Sequence, residues 1–170
     1  DPRAIGSFTL LGRLGAGGMG TAYLAEADGQ RVVVKVLRSD LADNPGFRTR
    51  LRRELDSLRR LEGPEGITII SEDLESNAPW FAMEFVEGQT LTDRVRTVGP
   101  LQGNALVAFA NDLASRIDAI HRAGVTHRDI KPSNVVLSPS GPRIIDFGVA
   151  LVDERTAMTT SGVMIGTLGW

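Results

Sequence analysis

Phe8, Leu10 and Leu14 alternate with polar Thr9 and Arg13, which predicts a strand. The run Gly15-Ala16-Gly17-Gly18-Met19-Gly20 follows, and residues 21–25 predict a second strand. Asp28-Gly29 is a hairpin turn signal. It leads into residues 31–37, a β-branched run apolar on both faces and interrupted only by Lys35. Residues 8–37 therefore read as a three-stranded antiparallel meander. After Asn44-Pro45, the residues Phe47, Leu51, Leu55, Leu58 and Leu61 recur at helical spacing, and Gly63-Pro64 is the stop signal. Residues 67–70 and 80–86 predict two more strands. Gly88 marks a break, and polarity rises after it, so a boundary between two lobes is placed there. Residues 91–98 predict a short helix. Leu106, Phe109, Leu113, Ile117 and Ile120 predict a long amphipathic helix ending before Gly124. Residues 135–137 and 143–145 predict a short strand pair joined through Pro139-Ser140-Gly141. Residues 146–170 show no period, and loops beyond about 15 residues are usually functional or disordered.

A chain of 170 residues suits one compact unit or two small lobes. A hydrophobic share of 42% argues against wholesale disorder. The net charge of −2 lacks the positive field that nucleic-acid binding needs. The absence of cysteine excludes a disulfide framework, a thiolate metal site and a Cys nucleophile, and fits a reducing compartment. No apolar run approaches the ~18 residues of a membrane span. Asp1-Pro2 opens no basic-then-apolar leader, so no signal peptide is expected.

Gly15-x-Gly17-x-x-Gly20 alone also fits a ligand-free hairpin. Strands on both sides exclude a dinucleotide fingerprint, and no Gly-Lys-Ser/Thr follows to make a Walker A loop. A glycine hairpin can fold over phosphates, because missing Cβ atoms let backbone amides approach. That use needs a cation. Lys35 shares a strand face with Val33 and Leu37, so it points where burial is expected and requires a counter-charge. At about 100° per residue, Glu54 falls only about 20° from Phe47, inside the apolar stripe. Lys35 and Glu54 are therefore expected to form an ion pair. Further on, His127-Arg128-Asp129-Ile130-Lys131-Pro132-Ser133-Asn134 is followed by Asp146-Phe147-Gly148. Asp129, Asn134 and Asp146 offer a base and hard oxygen ligands, which suit Mg²⁺ better than zinc. Each taken alone also fits a cap, a turn or a strand end.

This order of motifs (glycine loop, strand lysine, helix glutamate, H-R-D-x-K-x-x-N, D-F-G) resembles that of the protein kinases. The chain is most similar to the Hanks-type Ser/Thr kinases of actinobacteria. The resemblance implies an α+β, bilobal protein-kinase-like fold. Residues 1–87 would form an antiparallel-sheet lobe with one regulatory helix. Residues 88–170 would form the first part of a mainly helical lobe, with catalytic loop and activation segment. It implies ATP-dependent phosphoryl transfer to Ser/Thr hydroxyls of protein substrates in bacterial signalling, including autophosphorylation. The backbone of Gly15, Ala16, Gly17, Gly18, Met19 and Gly20 would cover the phosphates of ATP. Lys35, held by Glu54, would contact them. Asp129 would take or orient the substrate hydroxyl proton, and Lys131 would stabilise the transferring charge. Asn134 and Asp146 would hold Mg²⁺. Leu14, Ala22, Val33, Met83, Val136 and Ile145 would line the adenine slot, with Met83 as gatekeeper and Glu84 and Val86 offering backbone hydrogen bonds. Arg128 implies control by phosphorylation, with Thr159 and Ser161 as acceptors.

Ala22 stands where the family usually has Val, and Val33 where it usually has Ala. Gly63-Pro64-Glu65-Gly66 replaces the family's His-Pro-Asn stretch. Further helices are expected to cover the apolar face of residues 106–120. The resemblance also implies a homodimer for trans-autophosphorylation and a downstream membrane anchor with the kinase domain inside the cell. The alternative is a catalytically impaired, nucleotide-binding pseudokinase or scaffold. A small-molecule phosphotransferase is more distant, since such proteins usually lack the full glycine loop.

Overall fold

The computed structural model describes residues 2–61 and 66–146. A six-stranded antiparallel sheet is built from β1 (Ala4–Ile5), β2 (Phe8–Gly17), β3 (Gly20–Ala27), β4 (Gln30–Leu37), β5 (Ile69–Asp73) and β6 (Trp80–Glu84), in the order β1-β2-β3-β4-β6-β5. The expected meander is β2-β3-β4. Asp28 and Gly29 both adopt positive φ, 52° and 74°, so the tight turn brings Ala27 opposite Gln30. The glycine run does not break the sheet. Pairing of β2 with β3 continues to Gly17 opposite Gly20, with register shifts between Leu10 and Gly12 and between Arg13 and Gly15. A Cβ on Gly20 would lie 1.9 Å from the Val36 carbonyl oxygen, so only glycine allows that approach to β4.

β4 is apolar on both faces because both faces are covered. Val32 and Val34 pack with Phe8, Ala25 and Ala82 on one side. Leu37 and the partly buried Val33 face a second core on the other. That core is built on α2 (Pro45–Arg59), whose Phe47, Leu51, Leu55 and Leu58 are all buried. Asn44 caps α2, its side-chain oxygen accepting the Phe47 amide at 3.1 Å, and Pro45 occupies the first turn, where a missing N–H costs nothing. The helix stops at Arg59, and the expected Gly63-Pro64 stop signal lies outside the described residues. A single helical turn, α1 (Ser39–Ala42), precedes it; so short an element carries no period to read.

The rest comprises β7 (Gln89–Thr90), α3 (Leu91–Val98), α4 (Gly103–Arg122), a 3₁₀ turn (Pro132–Asn134), β8 (Val135–Ser138) and β9 (Gly141–Ile144). β7, β8 and β9 form a small antiparallel sheet in that order. Thr90 caps α3 by accepting the Asp93 amide at 3.0 Å. Expected strands shift at their ends: 67–70 becomes Ile69–Asp73, 80–86 ends at Glu84, 135–137 runs on to Ser138, and 143–145 becomes Gly141–Ile144. Ile120, Val125 and Ile144 join the α2 core, so one apolar cluster spans the helix, the sheet and the region beyond Gly88. Toward its N-terminal end α4 is bare: Leu106 and Val107 are exposed among the described residues. Thr159 and Ser161 lie outside the described residues.

Candidate active site

A cavity of about 620 Å³ opens between the β2–β3 hairpin above and β8–β9 below. Its roof is Leu14 and residues 15–20, and its inner walls include Ala22, Val33 and Met83. Glu84 and Val86 line the edge where the chain leaves the sheet, and Val136 and Ile145 form the floor. Lys35, Asp129, Lys131, Asn134 and Asp146 line the polar end. Every residue that the sequence reading places at the base, phosphates or metal thus borders one space. Phe81, Ile67, Phe85, Gly88 and Thr90 also line it and were not anticipated. Glu54 does not.

The polar end is held by a chain of hydrogen bonds. His127 is buried; its Nε2–H donates to the Ile145 carbonyl at 2.9 Å, and its Nδ1 accepts the Asp129 amide at 3.3 Å. Burial lowers the imidazole pKa from its usual 6.5, which keeps the ring neutral and able to do both. Between them Arg128 takes φ of 64°, a conformation rarely held by a side-chain-bearing residue. Asn134 Nδ2 donates to the Asp129 backbone oxygen at 2.9 Å and to Asp129 Oδ2 at 3.1 Å. Lys131 Nζ lies 2.8 Å from the same Oδ2. The Asn134 carbonyl receives the Ile145 amide at 2.8 Å, which ties this loop to the strand leading to Asp146. Asp146, with φ of 56°, turns its carboxylate back into the cavity.

The ion pair expected between Lys35 and Glu54 is not the one formed. Lys35 Nζ instead contacts Asp146 Oδ1 at 2.5 Å. The reason is positional. Lys35 and Asp146 both line the cavity, from its upper and lower sides, whereas Glu54 stays on α2 outside that lining. Glu54 is half-buried, and burial raises its carboxyl pKa above 4.5; the nearby Arg128 charge opposes this without cancelling it. Helical period fixed the face that carries Glu54, but not which cation that carboxylate would approach.

A charged residue behind the lining also escaped sequence reading. Arg143 on β9 donates from one terminal nitrogen to Glu84 Oε1 at 2.8 Å and to the Gly66 carbonyl at 2.6 Å. The signal that singled out Lys35, a lone cation in an apolar strand, also stood at Arg143 beside Ile144 and Ile145.

With this geometry in place, the relatives decide the family. A protein kinase domain model matches residues 8–170. The chain belongs to the protein kinase domain family. This kinase domain is 44% identical over its whole length to a probable serine/threonine-protein kinase PkwA of Thermomonospora curvata, covering 23% of that protein. It is 42% identical over 98% of its length to the serine/threonine-protein kinase AfsK of Streptomyces coelicolor, covering 21% of that protein. The chain thus spans about a quarter or less of these curated relatives. Among solved structures, the Mycobacterium tuberculosis PknI kinase domain superposes with a TM-score of 0.69 at 30% identity, matching 86% of this chain and 61% of that one. The α+β kinase fold read from the motifs is therefore the fold of the chain.

Proposed function

We propose that this kinase domain transfers the γ-phosphoryl group of ATP to Ser or Thr hydroxyls of protein substrates, itself included. The observation that carries this reading is the convergence of Lys35, Asp129, Lys131, Asn134 and Asp146 at the polar end of one cavity roofed by the glycine hairpin. The apolar inner end suits a flat base, with Met83 as gatekeeper and the backbone of Glu84 and Val86 as hydrogen-bonding edge. Backbone amides of residues 15–20 cover the phosphates, and Lys35 neutralises them. We place the boundary between the lobes at residues 87–88.

In the reaction the substrate hydroxyl oxygen bonds to the γ-phosphorus, the bond from that phosphorus to the bridging oxygen breaks, and the hydroxyl proton passes toward Asp129. Asn134 and Lys131 hold the Asp129 carboxylate in place by the contacts at 3.1 and 2.8 Å. Lys131 also sets positive charge beside the transferring group. Catalysis of this kind is mostly positioning and charge stabilisation. A divalent cation fits the donors present. The Asn134 amide nitrogen is engaged by Asp129, which orients the amide oxygen as a ligand, and Asp146 supplies a carboxylate at the same end of the cavity. Two side-chain oxygen ligands suit Mg²⁺, which usually takes its remaining ligands from phosphate and water. When bound, the metal screens phosphate charge.

The wider reading follows from the same assignment. Thr159 and Ser161 are proposed phosphate acceptors, with a second copy of the chain as the trans partner. None of the helices among the described residues is long and apolar enough to cross a membrane. Use of ATP as the phosphoryl donor is what supports the proposed cytoplasmic setting. Incubation of the complete protein with labelled ATP, Mg²⁺ and a basic acceptor protein tests the function. Wild type should label the acceptor and itself on Ser or Thr. Asp129→Asn should lose about 10²-fold or more of the rate while still binding nucleotide. Equal labelling by both proteins would refute the assignment.

A further inference from the structure

Arg143 joins three elements that meet at the edge of the cavity. Its side chain is 13% exposed although it carries a full charge. The nitrogen that reaches Glu84 Oε1 also reaches the Gly66 carbonyl, in the connection between α2 and β5. Glu84 is held from a second direction: its Oε1 accepts the Thr68 amide at 2.8 Å, and its own amide donates to the Thr68 carbonyl at 2.9 Å. Arg143 Nε is buried without a hydrogen-bond partner. An apolar side chain would leave no such orphan, so burial here is not the cheapest way to fill the space. What the cation adds is a fixed position for Glu84.

That position matters because Glu84 lines the cavity between Met83 and Val86, where the chain leaves β6. Arg143 stands opposite Val136 in the β8–β9 ladder, and Val136 is the floor of the same cavity. One guanidinium thus ties the floor to the edge that would read a base. We propose that Arg143 is a positioning residue for the nucleotide: through Glu84 it fixes the backbone edge of the base slot, and so sets purine affinity and the preference for adenine over guanine. The inference rests on the reading of this cavity as the ATP site. Adenine presents a donor and then an acceptor along its amino edge, whereas guanine presents the reverse. A backbone edge held in one orientation distinguishes them, and a loosened one does so less.

The test uses the complete protein, with ATP and GTP as alternative phosphoryl donors and with ADP binding measured directly by calorimetry. Arg143→Met should raise KM for ATP and Kd for ADP about tenfold, change kcat less than about twofold, and shrink the ATP-to-GTP ratio of kcat/KM. Arg143→Lys should restore most of the ADP affinity, because an ammonium can still reach the Glu84 carboxylate. Glu84→Gln, which keeps an acceptor for Thr68, should shift KM in the same direction and serves if Arg143→Met does not fold. Wild-type KM and donor preference in folded Arg143→Met and Glu84→Gln would overturn the proposal, as would a loss confined to kcat. Failure of wild type to bind ADP would instead overturn the reading of the cavity.

Discussion

Two effects act on the Glu54 carboxyl in opposite directions: burial raises its pKa and the nearby Arg128 charge lowers it, and burial prevails. As a half-buried carboxyl with raised pKa, it binds its proton more tightly in the folded chain than in the unfolded one. Its effect on stability is therefore most favourable below about pH 4.5 and declines as pH rises through the elevated folded value. Glu54→Gln should remove that decline and raise the melting temperature at pH 7. Thermal melts at pH 4 to 8 check this; a melting temperature that drops at pH 7 would mean that Glu54 is already paired. His127 works in the other sense. Its folded pKa lies below 6.5, so its contribution is present above that value and is lost as pH falls through the depressed one. Denaturant midpoints should fall from pH 7 to pH 5, and fall less in His127→Gln. At this scale the residue types of the site were legible, because lone charges in apolar strands and a dense polar run stand out. Partners were not. Period places Glu54 on a face and alternation places Lys35 on another, but the choice of Asp146 over Glu54 depends on where α2 sits against the sheet, which no local pattern encodes.

Elements were legible where a period ran long enough or a turn residue was forced. Asp28-Gly29 has to be a tight turn because both residues take positive φ, and Asn44-Pro45 has to open a helix because one caps and the other tolerates the first turn. The two-residue strands β1 and β7 and the four-residue α1 carry no such signal, and their pairing is decided by neighbours. The glycine run illustrates a different limit. The alternating pattern carries the first strand only to Leu14 and opens the second at Thr21, whereas the backbone of the run continues the β2–β3 ladder to the tip. Gly20 is the position that makes this workable. Gly20→Ala places a Cβ against the Val36 carbonyl at 1.9 Å, so β3 has to move away from β4 beside Leu37, two residues along the ladder from the pair of Ala22 with Lys35. The expected result is a loss of stability of ~1–3 kcal/mol, the scale of overpacking a tight site, with a larger loss of nucleotide affinity than Gly18→Ala, whose added Cβ would meet nothing within 4 Å. Urea unfolding and ADP titration of the two variants decide it; equal affinities would show that the hairpin tip does not hold the phosphates.

At the scale of the molecule, the described residues on the two sides of Gly88 are tied together by a core that disregards the boundary placed there. Leu51, Leu55 and Leu58 of α2 share one cluster with Phe81 and Met83 of the sheet, and with Ile120, Val125 and Ile144 beyond it. The loop from His127 to Asn134 inherits its position from this cluster, because His127 and Asn134 are bonded to Ile145, next to buried Ile144. A cavity made on one side should therefore be felt on the other. Ile120→Ala should cost ~2–5 kcal/mol, as for deletion of a buried branched side chain. Native-state hydrogen exchange should show amides of β4 and β6 losing protection together with those of α4, because the elements open as one cooperative unit. If β4 keeps wild-type protection while α4 loses it, the two regions unfold separately, and the contacts through Ile120 and Ile144 do not couple them.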